Sequence, residues 1–269
     1  MILEKRVGGA PNSTWPDLVE ELDRWGESGR HATLWWRDDD AVTATPCLTD
    51  LLSLAERIPL ALAVIPAGAD PGLAAALADR PDIAVLQHGW RHANHGGDGK
   101  KSEFPERRRP SDVAAELTAG RARLAVLFGP LARPVLVPPW NRFPAAFEPR
   151  LVPAGLVALS QMAPRRETPR SIAAVDVHVD VVAWGAGRRF IGDSAALGGL
   201  VAHLRSRRLG EADAATPTGI LTHHLVMDRA TAEFLRRLVD LVRTHRAARW
   251  VGAAEIFPRA QPSATVVAR

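Results

Sequence analysis

Cysteine is almost absent: Cys47 stands alone among 269 residues, which excludes an internal disulfide and a cysteine-built zinc cage. No apolar run approaches the length of a bilayer-spanning helix, so no membrane partner is expected. The opening MILEKRVGGAPNSTW mixes an acid, two bases and two glycines and has no apolar core, which does not read as a secretory signal. The expectation is a cytoplasmic, reduced protein. Lysine is scarce too. Of 34 basic residues only Lys5, Lys100 and Lys101 are lysines, the other 31 being arginines, and the net charge is only +4. Basic clusters such as Arg107–Arg109 have no interleaved aromatics, so no nucleic-acid partner is expected. No Gly-x-Ser-x-Gly elbow exists, which argues against a serine hydrolase. HGGDGKKS (95–102) resembles a phosphate loop only faintly, because Asn94 occupies the position of the first Gly and Lys101 that of the Ser or Thr. GAGRRF (185–190) lacks the third Gly of a dinucleotide fingerprint.

What the chain does have is an ordinary globular balance, 46% hydrophobic and 24% charged, with no repeat or long linker. Short β-like runs fall at 33–36, 61–65, 83–86, 134–137, 175–182 and 219–222, with weaker ones at 155–159 and 249–251. Between them, apolar residues recur at helical spacing over 46–57, 71–78, 111–128, 193–207 and 228–245, with Ser111, Asp193 and Asp228 as candidate N-caps. Repeated strand–helix alternation predicts an α/β fold with a parallel sheet, and seven or eight strands favour a barrel. The expectation is one domain over 1–269, with 1–30 as an N-terminal helical extension. In such barrels, reactive groups collect at the C-terminal strand ends.

Those ends carry chemistry. RDDDA (37–41) closes the first strand with three adjacent carboxylates, costly unless a cation or donor answers them, although an Asp there often only caps the next turn. QHGWRHANH follows the third strand. Its His88 and His92, four apart as if on one helical turn, can reach one divalent ion. With an acid from the first strand they make two nitrogens and one carboxylate, a set that leaves positions open for water and substrate. Pro138 and Pro139 stiffen the turn before Trp140. Asp176, His178 and Asp180 alternate on one face of a later strand, with Trp184 just beyond. GILTHHLVMD places His223 and His224 at a strand end, where a near-neutral pKa suits a general acid. Of the eight tryptophans, Trp35, Trp36, Trp90, Trp140 and Trp184 fall in or beside these motifs, as core packing or as platforms for sugar faces. The glycine-rich, basic stretch 96–109 reads as a loop beside the site.

This ordered set resembles the polysaccharide deacetylase family, metal-dependent carbohydrate esterases with a distorted (β/α) barrel of about seven parallel strands. The resemblance runs from about Thr33 to Val251. It implies Asp39 as catalytic base and Asp40 as metal ligand or, with the register shifted by one, Asp38 and Asp39. It implies His88 and His92 as the other ligands, Trp140 as the oxyanion donor through its backbone N–H, and His223 of Leu221-Thr222-His223 as the acid. Leu221 would wall an acyl pocket, and Asp180, Trp184, Trp90 and Arg142 would contact substrate. Val137 stands where the family carries an Arg that partners the base, leaving Arg142 or Arg37 as the stand-in. The third aspartate is expected to face solvent or pair with an Arg.

The function so implied is hydrolysis by metal-activated water of the N-acyl group of a sugar or sugar conjugate, part of carbohydrate metabolism. The ion would be Zn²⁺, with Co²⁺ or Mn²⁺ as alternatives. The partner would be a small molecule or an oligosaccharide. Two rivals stand beside this reading: hydrolysis of a small amide or ureide, as in relatives resembling allantoinases and polyamine deacetylases, and a non-catalytic binding protein on the same scaffold. Oligomeric state does not follow from the sequence.

Overall fold

The structure, a computed structural model, describes residues 12–163 and 172–258. The first eleven residues of the expected N-terminal extension lie outside the described residues. A helix α1 (Trp15–Glu27) leads in, its start closed by Thr14 and Asp17, whose carboxylate accepts the Thr14 N–H at 2.7 Å. Strand and helix then alternate: β1 (Ala32–Ala41), α2 (Pro46–Leu54), β2 (Leu60–Val64), α3 (Pro71–Leu77), β3 (Ile83–His88), α4 (Pro110–Phe128), β4 (Ala132–Val137). Short strands follow, β5 (Ala158–Leu159), β6 (Ala173–Ala174), β7 (Val179–Asp180), β8 (Val182–Ala183) and β9 (Arg189–Phe190). The chain closes with α5 (Asp193–Leu209), β10 (Thr218–Thr222), α6 (Arg229–Thr244), β11 (Ala248–Trp250) and α7 (Ala253–Ile256).

The sheet runs β6-β5-β4-β3-β2-β1-β10-β7, every pairing parallel, and β11 pairs with the start of β1. Its two edges meet through one extended segment. Residues 173–177 lie beside β5 and its continuation, through Ala173 opposite Ala158 and Met162 opposite Val177. From the very next residue the same segment lies beside β10, with the His178 N–H donating to Gly219 at 2.7 Å. The sheet therefore curls into a distorted (β/α) barrel with about seven positions around it. β8 and β9 form a separate antiparallel hairpin.

Side-chain alternation along β1 decides what faces where. Trp35 joins the inner cluster with Ala61, Ala63, Ala84, Leu86, Val135, Val177 and Leu221, whose small residues suit a narrow barrel. Leu34 and Trp36 join the outer cluster that packs under the helices. Arg37 and Asp39 continue the Trp35 face, and Asp38 continues the Trp36 face.

Three local expectations need correction. The 175–182 run is not one strand, because crossing from one sheet edge to the other breaks its pairing into pieces. Helix α4 starts at Pro110 with Arg109 at the cap, so Ser111 lies inside it; proline, without an N–H, fits the first helical position. Asp193 is likewise inside α5, whose cap is Gly192, and its carboxylate accepts the Trp15 indole N–H at 2.9 Å. Asp228 does cap α6, accepting the Thr231 N–H at 2.7 Å. Among the described residues, no helix is long and apolar enough to cross a membrane.

Candidate metal centre

The site is built where β1 stops alternating. Register against β2 slips between Asp38 and Ala41, and Asp40 takes φ +73°. Such a bulge re-aims a side chain. Here it turns Asp40 toward the same mouth as Asp39, while Asp38 points the other way.

The Asp40 Oδ1 lies 3.1 Å from the His88 Nε2 and 3.4 Å from the His92 Nε2. One ligand atom from each residue falls within 4.8 Å of the others. The spacing of the two histidines does not come from a helical turn, as the sequence suggested. His88 is the last residue of β3, and His92 sits in the loop beyond it with φ +56°. Gly89, at φ +59°, lets the chain fold back: a Cβ there would lie 1.8 Å from the Glu103 carboxylate. That buried carboxylate accepts the N–H groups of Trp90 at 3.1 Å and Arg91 at 2.7 Å, pinning the loop between the two imidazoles.

The fit to a divalent ion rests on proton bookkeeping. The His88 Nδ1–H donates to the Val137 carbonyl at 2.9 Å, so Nε2 faces Asp40: in the charged ring it donates the hydrogen bond to the carboxylate, and in the neutral ring it turns a lone pair there. A lone pair facing a carboxylate oxygen at 3.1 Å calls for a positive charge between them. A second imidazole at the same oxygen calls for more than one shared proton. Ligand atoms about 2.1 Å from a tetrahedral ion stand roughly 3.4 Å apart, close to the spacings seen. The residues present fit such an ion, with two nitrogens and one oxygen.

Charges in the centre shift accordingly. Burial works to raise the Asp40 pKa, but the hydrogen bond with His88 and the charges of His88, His223 and His92 outweigh it and hold the group ionised, below the usual range. Burial opposes protonation of His88, yet the same hydrogen bond and the neighbouring Asp39 and Asp40 push its pKa up. His92 is pushed down, by burial and then by the charge of His88.

Asp39 is gripped from below. The Arg37 guanidinium donates from Nε at 2.8 Å and from a terminal nitrogen at 3.0 Å, a bidentate pair in which both side chains are almost fully buried. Arg37 also donates to Ser160 Oγ at 2.7 Å and to Asn141 Oδ1 at 3.0 Å. Of the two stand-ins for the missing arginine, Arg37 is thus the one on the aspartate. Arg142 instead donates to the Lys101 carbonyl. Asp38 neither faces solvent nor meets an arginine. It is fully buried, accepting from Thr222 Oγ1 at 2.6 Å and pairing with His224 Nδ1 at 2.5 Å. Burial opposes a charge on His224, but Asp38 outweighs it and raises the pKa.

A cavity of about 540 Å³ opens over these groups. It is lined by Asp39, Asp40, His88, His92, Trp140, Arg142, Asp180, Trp184 and His223, together with Lys101, Asn141 and Arg188, which sequence reasoning did not single out. His223 stands edge-on to Trp184, ring centroids 4.7 Å apart, and its buried Nδ1 has no hydrogen-bond partner among the described residues. Asp180 accepts the Trp184 indole N–H at 2.8 Å and the Val182 N–H at 2.9 Å, and burial raises its pKa. Trp140, at φ +54°, packs its ring against His92 with centroids 4.3 Å apart. Two expected contacts lie off this surface. Leu221 is fully buried in the inner cluster, and Trp90 lies outside the cavity lining with Arg91 over its ring. Glu103 and Ser160 carried no motif; only the fold brings them here.

No protein-family model and no curated protein matches the sequence. Solved structures do match in fold. An esterase of carbohydrate esterase family 4 from Streptococcus mutans is 14% identical, with 90% of this chain and 92% of that one covered, at a TM-score of 0.55. The family 4 carbohydrate esterase from Streptomyces lividans, solved in complex with acetate, is 15% identical over 82% and 98%, at 0.53. The chitin deacetylase of the fungal pathogen Colletotrichum lindemuthianum is 15% identical over 86% and 89%, at 0.52. The chain has the barrel fold of the family 4 carbohydrate esterases.

Proposed function

We propose that the protein is a metal-dependent hydrolase that removes the N-acyl group of a sugar or sugar conjugate. The observation that carries this reading is the meeting of Asp40, His88 and His92 around one point, beside an aspartate locked by a buried arginine, at the mouth of a barrel shared with carbohydrate esterases. Asp40, His88 and His92 would hold the ion, Zn²⁺ being the commonest match to two imidazoles and a carboxylate. A divalent ion, when bound, supplies Lewis acidity that acidifies water and polarises a carbonyl.

The chain's own residues supply the rest. Asp39 is the base: two N–H groups of Arg37 fix the direction of its carboxylate, so it can take a proton from water in the cavity. Trp140 sits in the turn whose backbone N–H would donate to the oxyanion as charge builds on the acyl oxygen. His223 gives the departing amine its proton. Asp180 positions the Trp184 indole beside His223, and the exposed faces of that indole suit a sugar ring. The cavity's size falls in the ordinary range for small ligands.

The test is chemical. Purified protein is expected to hold about one equivalent of a divalent ion and to release acetate from N-acetylglucosamine or its oligomers. Ammonia or amine release from ureides and small amides, without acetate from any sugar, would transfer the reading to the small-amide rival. Absence of metal, with no turnover restored by Zn²⁺, Co²⁺ or Mn²⁺, would leave only a binding role.

A further inference from the structure

The cavity carries more positive charge than the chemistry uses. Lys101 comes from the loop after β3, Arg142 from the turn after β4, and Arg188 from the β8–β9 hairpin, and all three line it. Among the described residues none of the three is ion-paired. The cavity's carboxylates are already answered. Asp39 has Arg37, Asp40 has two imidazoles, and Asp180 has the Val182 and Trp184 N–H groups. Arg142 and Lys101 are joined on one wall, the guanidinium donating to the lysine's carbonyl.

Backbone strain points to Arg188 independently. Among the described residues, five non-glycine residues have positive φ: Asp40, His92, Trp140, Asn141 and Arg188. All five line this one cavity. Four of them belong to the centre or its arginine clamp. The fifth, at φ +55°, is an exposed arginine next to Gly187, in a conformation where glycine would sit without strain. Residues held this way cluster where a side chain must be aimed.

We propose that the substrate carries an anionic group, a carboxylate or a phosphate, and that Lys101, Arg142 and Arg188 form the subsite that receives it. This deepens the acyl-sugar reading, on which the sugar part rests; the anion subsite rests on the cavity itself.

Calorimetric titration of the metal-loaded protein tests this with three probes: N-acetylglucosamine, its 6-phosphate, and N-acetylmuramic acid, which bears a carboxylate. At least one anionic probe is expected to bind about tenfold or more tightly than the neutral sugar, the difference shrinking as salt is raised. Which one binds assigns phosphate or carboxylate. A Lys101→Gln/Arg188→Gln variant of unchanged metal content is expected to lose the difference. Equal binding of all three probes overturns the proposal. So does an advantage that survives in Lys101→Gln/Arg142→Gln/Arg188→Gln, since the ion would then be reading the anion. Acetate release, followed separately, reports on the hydrolytic reading: no acetate from any probe sinks that reading, while an arginine-dependent preference leaves the subsite standing.

Discussion

Two neighbouring aspartates on β1 have opposite electrostatic partners, and this makes their roles separable. Asp40 is answered by two imidazoles and Asp39 by one guanidinium. Asp40→Ala or His88→Ala is therefore expected to abolish metal retention, read by elemental analysis after dialysis. Asp39→Ala should keep the ion and lose turnover by about 10²–10⁴-fold, the usual worth of a positioned base. Loss of the ion from Asp39→Ala would mean that ligand and base have been exchanged. The Arg37–Asp39 pair predicts a stability effect as well. Arg37→Ala leaves a buried carboxylate uncompensated, which costs about 3–5 kcal/mol, measurable as a fall in the urea midpoint. The double variant Arg37→Ala/Asp39→Ala should recover part of that loss, because no stranded charge remains. The sequence revealed Asp39 and Asp40 through their motif but misjudged Asp38. Its partner His224 lies 186 residues further along the chain, and the crossing from β1 to the end of β10 that joins them is tertiary.

The loop joining β3 to α4 illustrates what one element contributes. Its path from His88 to His92 depends on Gly89 turning back and on Glu103 accepting the N–H groups of Trp90 and Arg91. Glu103 does not line the cavity, so it acts on the ligands through the backbone it holds and through its charge near His88. Glu103→Ala is expected to weaken metal binding about 10–100-fold, the range typical of groups that orient ligands. Competition with a chelator would measure it, and an unchanged affinity would show that the loop holds its shape without the carboxylate. Glu103→Gln, whose amide presents only one acceptor oxygen, should fall between the two. No motif pointed to Glu103, since a lone acid in a basic loop gives no sign of what it accepts. The His-x-x-x-His pattern was legible, but for the wrong geometric reason: convergence comes from a strand end plus a left-handed turn. Strands β1 to β4 and β10 were legible because each carries a buried apolar run; in β1 that run is only its first half, since Arg37, Asp38, Asp39 and Asp40 continue the strand. The segment around β6 and β7 was not, because its pairing changes sides partway along.

At the scale of the whole barrel, the end opposite the candidate metal centre carries its own polar cluster, from which a response to acid is expected. Arg207 on α5 donates to the Thr33 carbonyl at 2.8 Å, to Thr218 Oγ1 at 3.0 Å and to the Ala214 carbonyl at 3.1 Å, tying α5 to the starts of β1 and β10. His203, one turn earlier, bonds Thr218 Oγ1 at 2.9 Å and stacks on His178 with ring centroids 3.4 Å apart. Burial first, and the Arg207 charge second, push the His203 pKa from 6.5 down to about 4. The sign follows from linkage. The unfolded chain takes up this proton below about pH 6.5 and the folded one only near pH 4, so stability is complete above 6.5 and is lost as pH falls through that window. One proton of difference corresponds to a slope of at most about 1.4 kcal/mol per pH unit, reduced because His203 is only partly buried. His92, also depressed, adds a term of the same sign in metal-free protein, so the measurement belongs on the metal-loaded form. His224, raised by Asp38, adds a term of opposite sign that both proteins share, so the reading is the difference: between pH 4.5 and 7.5 the urea midpoint of His203→Gln is expected to rise less with pH than that of the parent, without altered metal content. An unchanged slope would take His203 out of the acid response, which carboxylates held below their usual range, such as Asp70 and Asp228, enter only at lower pH, as pH falls through the carboxylate range.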